Sequence, residues 1–153
     1  MSDWKRSTRE VSLDGLPRDL KAAIEKHVEL YNLGDILSDA LMCVDTNSER
    51  AKKGLFGSAQ SVRQCAILTP RWLICASHDG KTATALSALL GDVVVQDYAD
   101  TPFARMVLDS GIQVNGKFTD VAENISAFVG LEDNAAGKKF RDAVIRAVQE
   151  AKK

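Results

Sequence analysis

Residues 62–77 read VRQCAILTPRWLICAS, two apolar and β-branched runs separated by Pro70 and Arg71. Residues 62–69 and 72–77 each have strand length, and proline is preset for the first corner of a tight turn, so the stretch predicts a β-hairpin. Short strands continue on both sides of it. Upstream, Ile36, Ala40, Met42 and Val44 share one side of an extended segment in which Ser38 is the polar member, which predicts a strand over about 36–47. Between that strand and the hairpin, residues 49–61 (ERAKKGLFGSAQS) are rich in charge and glycine and read as an exposed loop. Downstream, residues 78–81 (HDGK) supply a turn in which Gly80 can take positive φ. Residues 82–90 (TATALSALL) alternate as a strand at first and are read as one, although their alanine content also suits a short helix. Residues 93–98 (VVVQDY) predict another strand. Residues 105–108 and 112–114 predict a second hairpin around Asp109, Ser110 and Gly111, and residues 125–129 (ISAFV) a last strand.

Two helices frame these strands. Asp133 or Asn134 can cap a helix running to about Ala151, with Ala136, Phe140, Val144, Ala147 and Val148 on one face and Lys138, Lys139, Arg141 and Arg146 elsewhere. Near the start, Asp14 or Gly15 can cap and Pro17 suits a first turn. Leu20, Ile24, Val28 and Tyr31 then recur at helical spacing until Gly34, which predicts a helix over about 17–32. Residues 1–13 have neither period and read as a flexible tail containing Trp4. The chain has 153 residues, of which 45% are hydrophobic, enough for the core of one domain. Its domain plan is a tail over 1–13, a helical segment over 14–34 and an α+β body over 35–153.

Six or seven short strands closed by one amphipathic helix describe a bent sheet whose open corner the helix plugs. Residues 66–74 (AILTPRWLI) are similar to the L-T-D-R-R-L-I hairpin of bacterial pleckstrin-homology-like families, with Pro70 in place of the usual Asp and Trp72 in place of the second Arg. Residues 111–118 (GIQVNGKF) add a strand pair leading to the final helix. The resemblance spans about 36–150 and implies an α+β fold: a strongly bent antiparallel sheet or partly open barrel, capped by the C-terminal helix, with the N-terminal helix as an addition. It also implies a scaffold that binds proteins, peptides or lipids rather than one that transforms a substrate.

Composition and motifs narrow the chemistry. Twenty Lys and Arg against 21 Asp and Glu leave a net charge of −1, which provides no general field toward nucleic acid. The first residues lack the apolar run of a secretory signal, and no apolar stretch is long enough to span a bilayer, so the expected location is cytoplasmic. Cys43, Cys65 and Cys75 show no C-x-x-C spacing and read as small core residues. Gly80, Lys81 and Thr82 resemble the end of a phosphate-binding loop, but that motif needs a glycine five residues before Gly80 and Cys75 stands there. The chain's two histidines, His27 on the first helix and His78 in a turn, make a two-histidine metal site or a serine triad hard to assemble. The expectation is therefore no catalytic residue, no metal and no cofactor.

The candidate ligand-binding residues are Arg50, Lys52, Lys53, Leu55, Phe56 and Arg63. The cations could converge on an anion beside the amides of Gly54 and Gly57, while Leu55 and Phe56 form an apolar tip that is either core or contact. Lipid-binding pleckstrin-homology domains carry a lysine, a spacer and two alternating basic residues in this loop. Lys53 and Arg63 fit that pattern, and Cys65 departs from it. The expected function is a non-catalytic adaptor for a protein or peptide, with an anionic lipid or phosphate ligand as the alternative and an enzyme with an unrecognised site as the third. Self-association through sheet edges stays open.

Overall fold

The computed structural model describes residues 4–51, 57 and 59–153. They form an α+β structure of two antiparallel sheets and two α-helices. The first sheet joins β1 (Trp4–Val11), β2 (Met42–Arg50), β3 (Gln60–Leu68), β4 (Trp72–His78) and β5 (Ala83–Leu89) in chain order. The second joins β6 (Val93–Asp97), β7 (Gly111–Gly116) and β8 (Ile125–Gly130). Helix α1 (Arg18–Leu30) lies between β1 and β2 in the chain, and α2 (Ala135–Ala151) ends it. The sheets remain separate and do not close into a barrel.

Sheet alternation explains why the central strands read as continuous apolar runs. On one face, Val44, Ala66, Leu68 and Leu73 join Ile112 and Val114 of the second sheet and Phe140, Val144 and Val148 of α2 in the main core. On the other face, Cys43, Cys65, Ile67 and Ile74 pack with Leu20 and Ile24 of α1. Strands covered on both sides lose the polar half of their pattern. The added N-terminal helix thus has a defined role, covering the outer face of β4 and β5. Its end comes at Asn32, which has a φ of 54°, two residues before the glycine expected to stop it. Asn134 caps α2 by accepting the Gly137 N–H at 2.8 Å, and a side chain at Gly137 would collide with the Glu132 carbonyl.

Three expectations fail, each for a local reason. Residues 4–11, expected in a loose tail, form β1 paired along its whole length with β2. The inward row of this strand includes Arg6 and Thr8, which are satisfied by polar partners, so no hydrophobic alternation marked it. Residues 37–39 form a helical turn, and the following strand begins only at Met42. Residues 105–108 are not a strand: Pro102 opens a short 3-10 turn through Arg105, and β7 pairs instead with β6 and β8. Proline favours the first position of a helical turn, and that preference outweighs the apolar run after it.

Candidate functional site

Four of the six residues singled out from the sequence, Lys52, Lys53, Leu55 and Phe56, lie outside the described residues. The other two bracket that segment but do not converge. In the β2–β3 register Arg50 opposes Gln60 and Arg63 opposes Asn47, an odd offset that puts them on opposite faces. Arg50 follows the parity of Val44 on the main-core side, whereas Arg63 follows that of Cys65 on the α1 side. Arg63 is exposed. Arg50 donates to the Gln60 side-chain carbonyl and lies 5.0 Å from the centre of the Trp4 ring.

From Arg50 a chain of guanidinium and aromatic contacts runs across the junction between the sheets. The Arg6 guanidinium sits 5.5 Å from the Trp4 ring centre and 5.4 Å from that of Phe128. Phe128 in turn meets Tyr98 edge-on, with ring centres 5.3 Å apart. Arg6 is nearly buried, its side chain 9% exposed, and its charge is matched by Asp109 through two bonds of 2.8 and 2.7 Å. A third bond, 2.6 Å long, goes to the Ser48 hydroxyl. A bare α-carbon at Gly130 leaves room for this guanidinium, which a side chain there would strike. Next to it, Thr8 exchanges bonds with Glu132, donating its N–H to Oε1 at 3.0 Å and accepting the Glu132 N–H at 2.7 Å. The junction beside β1 is thereby closed by matched polar groups.

Tyr98 links this junction to an exposed apolar tip. Its hydroxyl donates to the Val107 carbonyl at 2.6 Å and approaches that of Phe103 at 3.3 Å. Within the tip, the N–H groups of Ala104, Met106 and Val107 donate to carbonyls of the same turn. These bonds fix the turn, yet Phe103, Met106, Val107 and Leu108 are 61%, 85%, 61% and 56% exposed. These four large apolar side chains within six positions form an exposed apolar patch. From the sequence this stretch read as a strand, and Pro102 was the signal that could have corrected it.

The junction on the β5 side is different. It holds a cleft of about 290 Å³ between the main-core face of β4 and β5 and the outer edge of β8. Cys75, Leu86, Val114, Phe118, Ile125 and Ala127 form apolar walls, while Ser77 and Thr84 stand at the polar margin. No charged residue lines it. Burial pushes the Cys75 thiol up to about 12.

Two groups that could suggest catalysis are engaged in local bonds. His27 Nε2 lies 2.8 Å from the Ser87 hydroxyl, a contact of the kind a nucleophile and its base would make. Ser87 donates its proton to Thr119 at 2.7 Å, so the imidazole is the donor to Ser87, and Ser87 is fully buried. The group is a structural clasp among α1, β5 and the β7–β8 loop. In the His78–Thr82 turn, the amides of Lys81 and Thr82 both donate to Asp79, at 2.8 and 3.1 Å, and hold its carboxyl below the usual range. Those amides are thus spent on Asp79 rather than offered to a phosphate. Among the described residues, no His, Cys, Asp and Glu side chains gather as a metal-holding group, and no helix is long and apolar enough to cross a membrane. No family model, curated protein or solved structure matches this chain.

Proposed function

We propose that this chain is a non-catalytic binding module of the pleckstrin-homology-like type, which takes a protein or peptide partner. Four antiparallel strands (β2–β5), three more (β6–β8) and a closing helix follow the element order of that fold, and β1 and α1 are additions to it. Fold order alone does not assign a ligand. The observation that carries the reading is the tip from Phe103 to Leu108, where apolar side chains are exposed on a turn anchored through its Val107 carbonyl to Tyr98 and through the Met106 and Val107 amides to Phe103. Such a surface gains by losing its water to a partner, and its anchorage to Tyr98 lowers the ordering needed on binding.

A random-peptide array probed with wild-type protein and with Met106→Asp/Val107→Asp tests the proposal. The double variant should keep the parent's melting temperature and lose at least about tenfold in affinity for the peptides selected, the equivalent of 1.4 kcal/mol. Selection of no peptide, or equal binding by both proteins, would refute it. The alternative, an anionic lipid or phosphate ligand, draws support from Arg63, exposed and without an ion pair among the described residues. It predicts binding to vesicles containing anionic lipid that falls steeply with salt and is weakened by Lys52→Glu/Lys53→Glu.

A further inference from the structure

The outer edge of β8 already has one amide bound to it. The carboxamide of Gln64, reaching across from β3, accepts the Gly130 N–H at 3.0 Å through Oε1. Its Nε2 donates to the Phe128 carbonyl at 3.4 Å. These two backbone groups point away from β7, and a side-chain amide meets them as one residue of a neighbouring strand would. Backbone direction alternates along an antiparallel ladder, so Ser126 points the same way as Phe128 and Gly130. The Ser126 carbonyl and the Phe128 N–H therefore form a second acceptor–donor pair with the same spacing, one step along the edge. No group among the described residues meets that pair.

This second pair faces the cleft. The Ser126 hydroxyl accepts from Gln113, and the Phe128 ring is held by Arg6 and Tyr98, so both residues present backbone to the cavity they line. Beyond the pair lie the walls of Leu86, Val114, Phe118 and Ile125. A carboxylate would oppose the Ser126 carbonyl and find no cation, and an ammonium group would oppose the Phe128 N–H. An ester would satisfy only the donor. An uncharged amide satisfies both, as Gln64 does on the adjacent pair.

We propose that the cleft between β5 and β8 is a binding site for an uncharged amide carried on an apolar group. The amide N–H donates to Ser126 O, its carbonyl accepts from Phe128 N–H, and the apolar part fills the space beside Leu86 and Phe118. At about 290 Å³ the cleft holds one modest apolar group, close to the lower limit of ordinary ligand sites. The donor and acceptor can come from one primary carboxamide or from the N–H and C=O of one residue, in its two flanking amides, of an extended peptide laid along β8.

Amide-resolved NMR titration of the full chain with hexanamide, hexanoate and the blocked tripeptide acetyl-Val-Leu-Val-N-methylamide tests the site. Hexanamide should move the Phe128 amide proton downfield and bind about tenfold more tightly than hexanoate, as expected for a lost hydrogen bond and an opposed charge. A tripeptide that binds tighter than hexanamide assigns the amide to a peptide, and the reverse order assigns it to a small carboxamide. Both Leu86→Trp, which fills the cavity, and Thr84→Trp, which obstructs its exposed margin, should abolish the shift. Met106→Asp should leave it intact, so this site can fail or stand separately from the apolar tip. The proposal is overturned if neither amide shifts Phe128 up to its solubility limit, if hexanoate binds equally well, or if the shift survives in a folded Trp variant.

Discussion

The two junctions between the sheets are built from opposite materials. Beside β1, Arg6, Asp109, Thr8 and Glu132 close the gap with directed bonds of 2.7–3.0 Å. Beside β5, the facing groups are apolar walls and a strand edge with one unmet backbone pair. A buried charge must be matched, so Asp109 and Glu132 at the first junction are committed to their β1 partners. An apolar cleft carries no such demand and can remain open at modest cost. The contrast separates the part of the molecule that fixes the sheets from the part that can accept something between them.

Removing Phe140 should break the comparison altogether, because its fully buried ring on α2 belongs to the core that both junctions share. Phe140→Ala should cost on the order of 3–5 kcal/mol in a denaturant melt. A loss below about 1 kcal/mol would put α2 outside the core. Next in size is Asp109→Ala, which leaves the nearly buried Arg6 guanidinium without its carboxylate. The expected loss is on the order of 3 kcal/mol, typical of a buried pair broken from one side. Thr84→Ala, at the open junction, should stay within about 0.5 kcal/mol. Similar losses for the two would erase the distinction drawn between the junctions.

How far the sequence exposes this arrangement depends on where the partners lie. The 62–77 hairpin is legible because both faces of its strands are buried, one in the core with α1 and the other in the main core with the second sheet and α2, which leaves long apolar runs, and Phe140, Val144 and Val148 mark the inward face of α2 without help from the rest of the chain. β1 is illegible because its inward residues are polar and their partners distant, Arg6 and Asp109 being 103 residues apart. Arg50 stands out as a cation, but nothing local announces that Trp4, Arg6, Phe128 and Tyr98 continue the line from it. Gln64 likewise reads as an ordinary polar strand residue until β8 is beside it.

A pH series sharpens the open side further, since the His27–Ser87–Thr119 clasp ties α1 to β5 at its margin. Burial lowers the His27 pKa below its ordinary value. Its neighbours are uncharged Ser87 and the ring of Tyr31, whose hydroxyl is bonded to Asp120. The unfolded chain therefore takes up a proton at His27 before the folded chain does, so this contribution to stability is full above about pH 6.5 and declines as pH falls below it. The melting-temperature advantage of wild type over His27→Gln should shrink between pH 7.5 and 5.5. A constant or growing advantage would contradict the clasp.

The smallest expected effect is a rate, and it probes the cleft wall directly. Cys75 packs against the main core and lines the cleft, and desolvation pushes its thiol up to about 12. Because only the thiolate attacks an alkylating reagent, the rate at Cys75 should be low at pH 8 and rise about tenfold per pH unit through pH 10. An exposed thiol would instead level off near its ordinary value of about 8.5. Cys43 and Cys65 lie buried on the α1 face, and burial raises both thiols as well, so peptide mapping of the alkylated chain is needed to separate the three sites. Saturating hexanamide should slow the reaction at Cys75 and leave any reaction at the other two unchanged, because Cys75 alone of the three lines the cleft. A plateau near pH 9 would show that the wall is open to water, and equal protection of all three thiols would trace the effect to general stabilisation rather than to an occupied cleft.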